Sequence, residues 1–156
     1  MSAQFTNPFH LGVRVVNLES AMAEIGEAHG LTWASVQERD QQLWTEAGGA
    51  IRTPLRFTYS REGPLHIELL QGVPGTIWDG SSAPGVHHTG VWTGDVRGDT
   101  EELLQQGWSL VGAQLGPEEA YGAMTYVQSP QGFILELVHE MIKPRFEKWW
   151  ASGPLE

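Results

Sequence analysis

One pattern occurs twice in this chain, and a duplication on this scale admits few folds. The first copy opens at Phe9-His10-Leu11-Gly12-Val13 and closes at His66-Ile67-Glu68-Leu69. The second opens at His87-His88-Thr89-Gly90-Val91 and closes at Ile134-Leu135-Glu136-Leu137. Each copy places His-X-Gly-Val near its start and a Glu-Leu on an apolar run near its end. The spacings inside the copies differ, so the intervening segments differ in length. A period this long belongs to a supersecondary module used twice, not to a solenoid. Two His and two Glu on equivalent strands of two similar halves can converge on one divalent cation, which makes the chain a candidate metalloenzyme.

The length of 156 residues is that of one domain with a sizeable core. Two halves of about 7–71 and 86–139 sharing that core fit better than two independent domains, with a connection at 72–85 and a terminal helix over about 140–151. The formal net charge of −10 argues against nucleic acid or an anionic membrane as a partner, since both need a basic patch. No cysteine is present, which removes disulfides, thiolate ligands and a thiol nucleophile. The start, Met1-Ser2-Ala3-Gln4-Phe5, lacks the charged and apolar regions of a signal peptide. Charges, Gly or Pro interrupt every apolar run short of a membrane span. A cytoplasmic location is the expectation.

Residues 10–16 read as a β-branched strand. Asn17 then caps a helix through His29, with Glu19 at its positive end and Gly30 after it. Residues 31–38 alternate as a strand, and Gly48-Gly49 marks a turn within 39–53. Segments 55–60 and 65–71 form a hairpin turned at Arg61-Glu62-Gly63-Pro64. The Gly-, Pro- and Ser-rich connection 72–85 carries Ile77 and Trp78, and the tryptophan is expected to order it. In the second half, 86–94 is a strand. Asp99 with Glu102 has capping-box spacing for a helix that Gly107 ends. Segments 108–114, 122–128 and 133–138 are strands, the last two joined by the turn Ser129-Pro130-Gln131-Gly132. The order strand, helix, strand, strand, strand therefore repeats. The class is α+β, with two curved mixed sheets side by side forming a half-open barrel.

Alternation along a strand puts His10 on one face with Gly12 and Arg14, and His88 with Gly90 and Trp92. Glu68 shares its face with His66 and Leu70, while Leu135 and Leu137 lie opposite Glu136. All four candidates thus leave the helix-packed face for the concavity, where a carboxylate needs a partner or a cation. The set of two nitrogens and two oxygens suits one divalent Zn, Ni, Co, Mn or Fe without choosing among them. His87 is the register alternative to His88. Arg14 and His66 can bind an anionic substrate group, or pair with a surface acid and hydrogen-bond within the sheet. Trp92 can form an apolar wall, and Tyr126 with Gln128 lies on a strand flanking the site. Trp149 and Trp150 are read as docking the terminal helix or a second subunit.

These residues resemble the vicinal-oxygen-chelate superfamily of glyoxalase I, methylmalonyl-CoA epimerase, extradiol dioxygenases and fosfomycin- and bleomycin-resistance proteins. The resemblance spans nearly the whole chain. It rests on His10-Leu11-Gly12-Val13 with Asn17-Leu18-Glu19-Ser20-Ala21-Met22, on His88-Thr89-Gly90-Val91, and on Ser129 to Leu137. It implies paired βαβββ modules around a metal cleft, with ligands at His10, Glu68, His88 and Glu136. The second carboxylate, Glu68, makes the ligand set more similar to bacterial glyoxalase I than to the dioxygenases, while length and loop pattern sit nearer the epimerase branch. The activity implied is that of a metal-dependent lyase, isomerase or epimerase. The mechanism implied is loss of a proton from the carbon next to a carbonyl through a metal-bound enediolate, with Glu136 expected as base and Glu68 as alternative or second base. The substrate implied is a small molecule, hydrophobic or thioester-like as in acyl-CoA, and the assembly implied is a homodimer. Two other readings are an iron-dependent extradiol-type dioxygenase and a metal-free protein that binds or sequesters a small molecule.

Overall fold

Strand β1 (His10–Arg14) gives way to helix α1 (Leu18–His29) at Asn17, whose side chain accepts a hydrogen bond from the Ser20 amide at 2.8 Å. Gly30, at φ 65°, ends the helix in the left-handed conformation that glycine adopts without strain. Here and throughout, the computed structural model describes residues 5–155. The second half repeats this opening with β5 (Gly85–Thr93) and α2 (Val96–Gln105). Its cap differs from the expectation at Asp99 and Glu102. Asp95 caps α2 by accepting from the Gly98 amide at 2.9 Å, and Asp99 sits in the first turn, where it accepts from the Thr93 hydroxyl. The Thr93 hydroxyl engages Asp99, and Asp95 is left to meet the orphan amide.

Each half then adds three strands, β2 (Gln37–Thr45), β3 (Gly49–Tyr59) and β4 (His66–Gly72) in the first, and β6 (Ser109–Ala113), β7 (Met124–Gln128) and β8 (Ile134–His139) in the second. The expected strand at 31–38 is displaced. Residues 31–36 carry a single bridge, Trp33 to Ser60, and the strand proper is β2, paired with β3 from Gln37 against Phe57 to Thr45 against Gly49. Side chains occupy the earlier segment: Trp149 Nε1 donates to the Ser35 carbonyl, and Trp33 Nε1 donates to the Met22 carbonyl. On β2, the inward face carries Arg39 and Gln41 beside a cavity, so the apolar alternation that announces a strand is missing there.

The eight strands close into one barrel in the order β1-β4-β3-β2-β6-β7-β8-β5. The expected half-open barrel is therefore closed within a single chain, although one pair, Trp44 with Ala113, makes the β2–β6 seam. The halves meet more extensively at β1 and β5, which pair antiparallel. Outside the barrel, Leu18 and Ala21 of α1 pack on Leu69, and Leu103 of α2 belongs to a cluster with Val127, Leu135 and Leu137. Inside, Leu55, Phe57, Leu70 and Val138 form part of the central core. Alternation along β4 and β8 thus separates helix-facing leucines from inward-facing residues.

The terminal segment begins with a 3-10 turn at Glu140–Ile142 and continues as α3 (Lys143–Trp150), with Pro144 in the first turn, where the missing N–H costs nothing. Trp149 is fully buried, and its indole also donates to the Ser35 hydroxyl at 3.0 Å. Trp150 stacks on His66 with ring centroids 3.7 Å apart. Both therefore dock the helix onto their own chain. None of the helices among the described residues is long and apolar enough to cross a membrane.

Candidate metal centre

Four adjacent strands, β4-β1-β5-β8, hold the centre. Across them, Glu68, Gly12 and His88 are paired in one row, and His10, Gly90 and Glu136 in the next. Each row has a glycine between its charged ends. The reason is spatial. A Cβ on Gly90 would lie 1.9 Å from His10 Cε1, and one on Gly12 would lie 2.1 Å from His88 Cε1. The Gly of each His-X-Gly opening thus makes room for the imidazole of the other half.

The two imidazoles meet Nε2 to Nε2 at 3.0 Å. His10 Nε2 lies 2.9 Å from Glu136 Oε1 and 3.4 Å from Glu68 Oε1, and His88 Nε2 lies 3.4 Å and 3.2 Å from the same two oxygens. All four residues are buried, and one ligand atom from each lies within 4.8 Å of every other. Bonds of about 2.1 Å to a shared ion put neighbouring ligand atoms about 3.0 Å apart in an octahedron and about 3.4 Å apart in a tetrahedron. The His–His and His–Glu separations, 2.9 to 3.4 Å, lie within about 0.1 Å of that interval. Glu68 Oε1 is buried without a hydrogen-bond partner among the described residues, as an oxygen reserved for a cation would be. The donor set fits one divalent ion, with His10, His88, Glu68 and Glu136 as its ligands.

Electrostatics point the same way. Burial opposes a charge on His88, but the Glu136 and Glu68 carboxylates beside the ring outweigh it and push the imidazole up to about 9. Burial also opposes the charge of Glu136, and the imidazoles of His10 and His88 overcome it, holding the carboxyl far below its ordinary range. Two buried carboxylates thus demand positive charge at the centre, and without a metal a proton on His88 meets that demand.

Behind His88 stands His87, its Nδ1 2.9 Å from His88 Nδ1. Burial, then His88 and Arg14, push His87 down to about 3, so the ring is neutral and can accept the His88 Nδ1 proton. The register alternative is thereby resolved by position: His88 faces the centre and His87 orients it.

The remaining sequence candidates occupy different places. Tyr126 lines the cavity over the centre, its ring edge-on to His88 at 4.9 Å. Arg14 turns towards the connection between the halves, where Nη1 donates to the Ile77 carbonyl at 3.1 Å. His66 donates from Nδ1 to the Ser60 carbonyl at 2.6 Å, and burial keeps its ring neutral. Trp92 stacks on Phe9 at 3.8 Å and meets Phe146 edge-on. Arg14, His66 and Trp92 do not line the cavity.

Tyr59 escaped the sequence reading. It is directly paired with Glu68 on β3 and β4, as Tyr126 is with Glu136 on β7 and β8. Its ring is edge-on to His10 at 5.3 Å. Burial, then the Glu68 and Glu136 carboxylates, raise its ionisation well above the ordinary phenol range; burial and the same carboxylates do so for Tyr126. Both are therefore neutral donors near pH 7. The missed signal was a repeated spacing, a tyrosine about ten residues before each glutamate.

The cavity has a volume of about 200 Å³, with Glu68 and Glu136 on its floor beside the two tyrosines. Phe57, Leu70, Met124, Val138 and Phe146 form an apolar ring, and Arg39, Gln41, Gln114 and Arg145 add polar groups to the lining.

Known proteins share this architecture. A Streptomyces coelicolor methylmalonyl-CoA epimerase variant in complex with 2-nitronate-propionyl-CoA is similar at a TM-score of 0.61 and 17% identity, covering 87% of this chain and 95% of its own. The methylmalonyl-CoA epimerase of Mycobacterium tuberculosis is similar at 0.57 and 20%, covering 89% and 92%. A mutant 4-hydroxymandelate synthase from Streptomyces coelicolor is similar at 0.56 and 15%, covering 85% of this chain and 48% of its own. No protein of curated function matches the sequence. Residues 9–127 match the Glyoxalase/Bleomycin resistance protein/Dioxygenase superfamily, a span that includes His10, Glu68 and His88 and stops short of Glu136. With three of the four ligands inside that span and the paired modules around them, the chain belongs to the Glyoxalase/Bleomycin resistance protein/Dioxygenase superfamily.

Proposed function

We propose that the chain is a metal-dependent isomerase, epimerase or lyase that moves a proton on the carbon next to a carbonyl. The observation that supports this most is the buried convergence of His10, Glu68, His88 and Glu136 at the floor of an apolar cavity. A divalent ion bound there supplies Lewis acidity. Glu136 takes the proton from the substrate carbon, and Glu68 serves as the second base when the product is an epimer. The apolar ring excludes water from the carbanionic carbon. Tyr59 and Tyr126 keep their protons and donate hydrogen bonds near the carboxylates.

The substrate in this reading is a small molecule with an apolar part, matching the cavity lining. An acyl thioester, the ligand type in the epimerase complexes, is its specific form. Two copies of the chain associate as a homodimer in the same reading. A metal-free binder would hold the Glu68 and Glu136 carboxylates together with only a His88 proton between them, half the charge that a divalent ion brings. The second carboxylate weighs against the dioxygenase. The test is solvent deuterium uptake at C2 of methylmalonyl-CoA by protein loaded with Co(II) or Zn(II). Uptake that needs the metal supports the reading; metal-independent uptake, or one equivalent of bound metal with no uptake into this or other carbon acids, sinks it.

A further inference from the structure

The connection between the halves places Trp78 in the wall of the cavity, 1% exposed, where its Nε1 donates to the Tyr126 hydroxyl at 3.1 Å. An indole N–H only donates, so the phenol oxygen must accept from it, and the phenol's own proton must point elsewhere. That proton has an acceptor in Glu136, which is directly paired with Tyr126 across β7 and β8 and whose carboxylate acts on the phenol. The first half has the equivalent tyrosine and glutamate, Tyr59 and Glu68, directly paired across β3 and β4. Among the described residues it has no equivalent indole: Trp78 belongs to the segment between the repeats, and its indole N–H donates to the second half.

We propose that Trp78 is a positioning residue: through the chain Trp78–Tyr126–Glu136 it fixes one carboxylate of the metal centre and so breaks the equivalence of the two halves. Each carboxylate has a tyrosine phenol beside it, Tyr59 at Glu68 and Tyr126 at Glu136, but only the Tyr126 phenol is held in turn by an indole. The consequence for chemistry is directional. Glu136 meets the substrate C–H in a geometry that the indole fixes through Tyr126, a constraint that Glu68 lacks. This inference rests on the metal-dependent reading above, but it concerns the orientation of a ligand and is measurable without turnover.

The experiment is a double-mutant cycle on the Co(II)-loaded full chain, with Trp78→Phe, Tyr126→Phe, Tyr59→Phe and their combinations. The readouts are Co(II) affinity and the visible ligand-field spectrum. Loss of an outer hydrogen-bond partner costs about tenfold or more in metal affinity. Tyr126→Phe is expected to weaken Co(II) about tenfold, Trp78→Phe by a smaller factor with the same spectral change, and the double variant no more than Tyr126→Phe alone. Trp78→Phe with Tyr59→Phe is expected to be additive. Additive effects of Trp78→Phe and Tyr126→Phe, or an unchanged spectrum in Trp78→Phe, overturn the proposal. A wild-type chain that binds no Co(II) overturns both this inference and the reading beneath it. Coupling without deuterium uptake into any carbon acid sinks only the proton-transfer reading.

Discussion

His10 and Gly90 are directly paired across β1 and β5, and the imidazole occupies the space a Gly90 side chain would need, with Cε1 1.9 Å from that Cβ position. His88 stands in the same relation to Gly12. A methyl group at either glycine must displace the ring or the strand. Gly90→Ala and Gly12→Ala are each expected to lower metal affinity by at least about tenfold while the far-ultraviolet circular dichroism stays that of the folded protein. Isothermal titration with Zn(II) or Co(II) checks this, and wild-type affinity in both variants contradicts the packing argument.

Removing a ligand should act more severely than displacing one. His10→Ala is expected to abolish stoichiometric metal in protein purified without chelator, as read by elemental analysis. One retained equivalent would mean that the ion sits elsewhere.

Glu136→Gln keeps the shape of the side chain and removes its basicity. Turnover is expected to fall by about 10²-fold or more, while substrate binding persists. Single-turnover kinetics with a binding measurement separate the two effects. Retained activity assigns the base to another residue.

The His88 imidazole gives a pH signature in the metal-free protein. Its folded value, about 9, lies above the ordinary 6.5. A raised value means that the folded state holds the proton more tightly, so His88 contributes stability that is fully present below 6.5 and lost as pH rises through about 9. The Tm of metal-free protein is expected to fall across that window and that of metal-loaded protein to change less. Near pH 7.5, metal uptake should release roughly one proton per ion, measurable by titration calorimetry in buffers of different ionisation enthalpy.

Trp149 anchors α3 through a fully buried ring and two hydrogen bonds to Ser35. Trp149→Ala is expected to cost about 3–5 kcal/mol in chemical denaturation. It should also weaken substrate binding, because Phe146 of α3 lines the cavity. A variant as stable as wild type would mean that α3 docks without it.

The legible parts of this molecule were those encoded over a short stretch of chain. Asn17 and Gly30 mark the ends of α1 by local hydrogen bonding and backbone preference. Ser129-Pro130-Gln131-Gly132 marks the turn into β8. The repeated His-X-Gly and Glu-Leu announce the ligands because alternation along a strand assigns each side chain a face. Where a side chain from elsewhere intervenes, local reading fails. Trp149 engages the backbone before β2, and Thr93 engages Asp99. Arg39 and Gln41 face a cavity and so hide the strand that carries them.

By itself, the sequence determined the duplicated βαβββ order and the four residues that converge, because both rest on periodicity and repetition along one chain. Only the tertiary structure decided that β2 and β6 close the barrel at Trp44 and Ala113, that each glycine houses the opposite half's histidine, and that Trp78 reaches Tyr126. Those relationships join residues far apart in sequence, and nothing in the local preferences of one partner reports the position of the other.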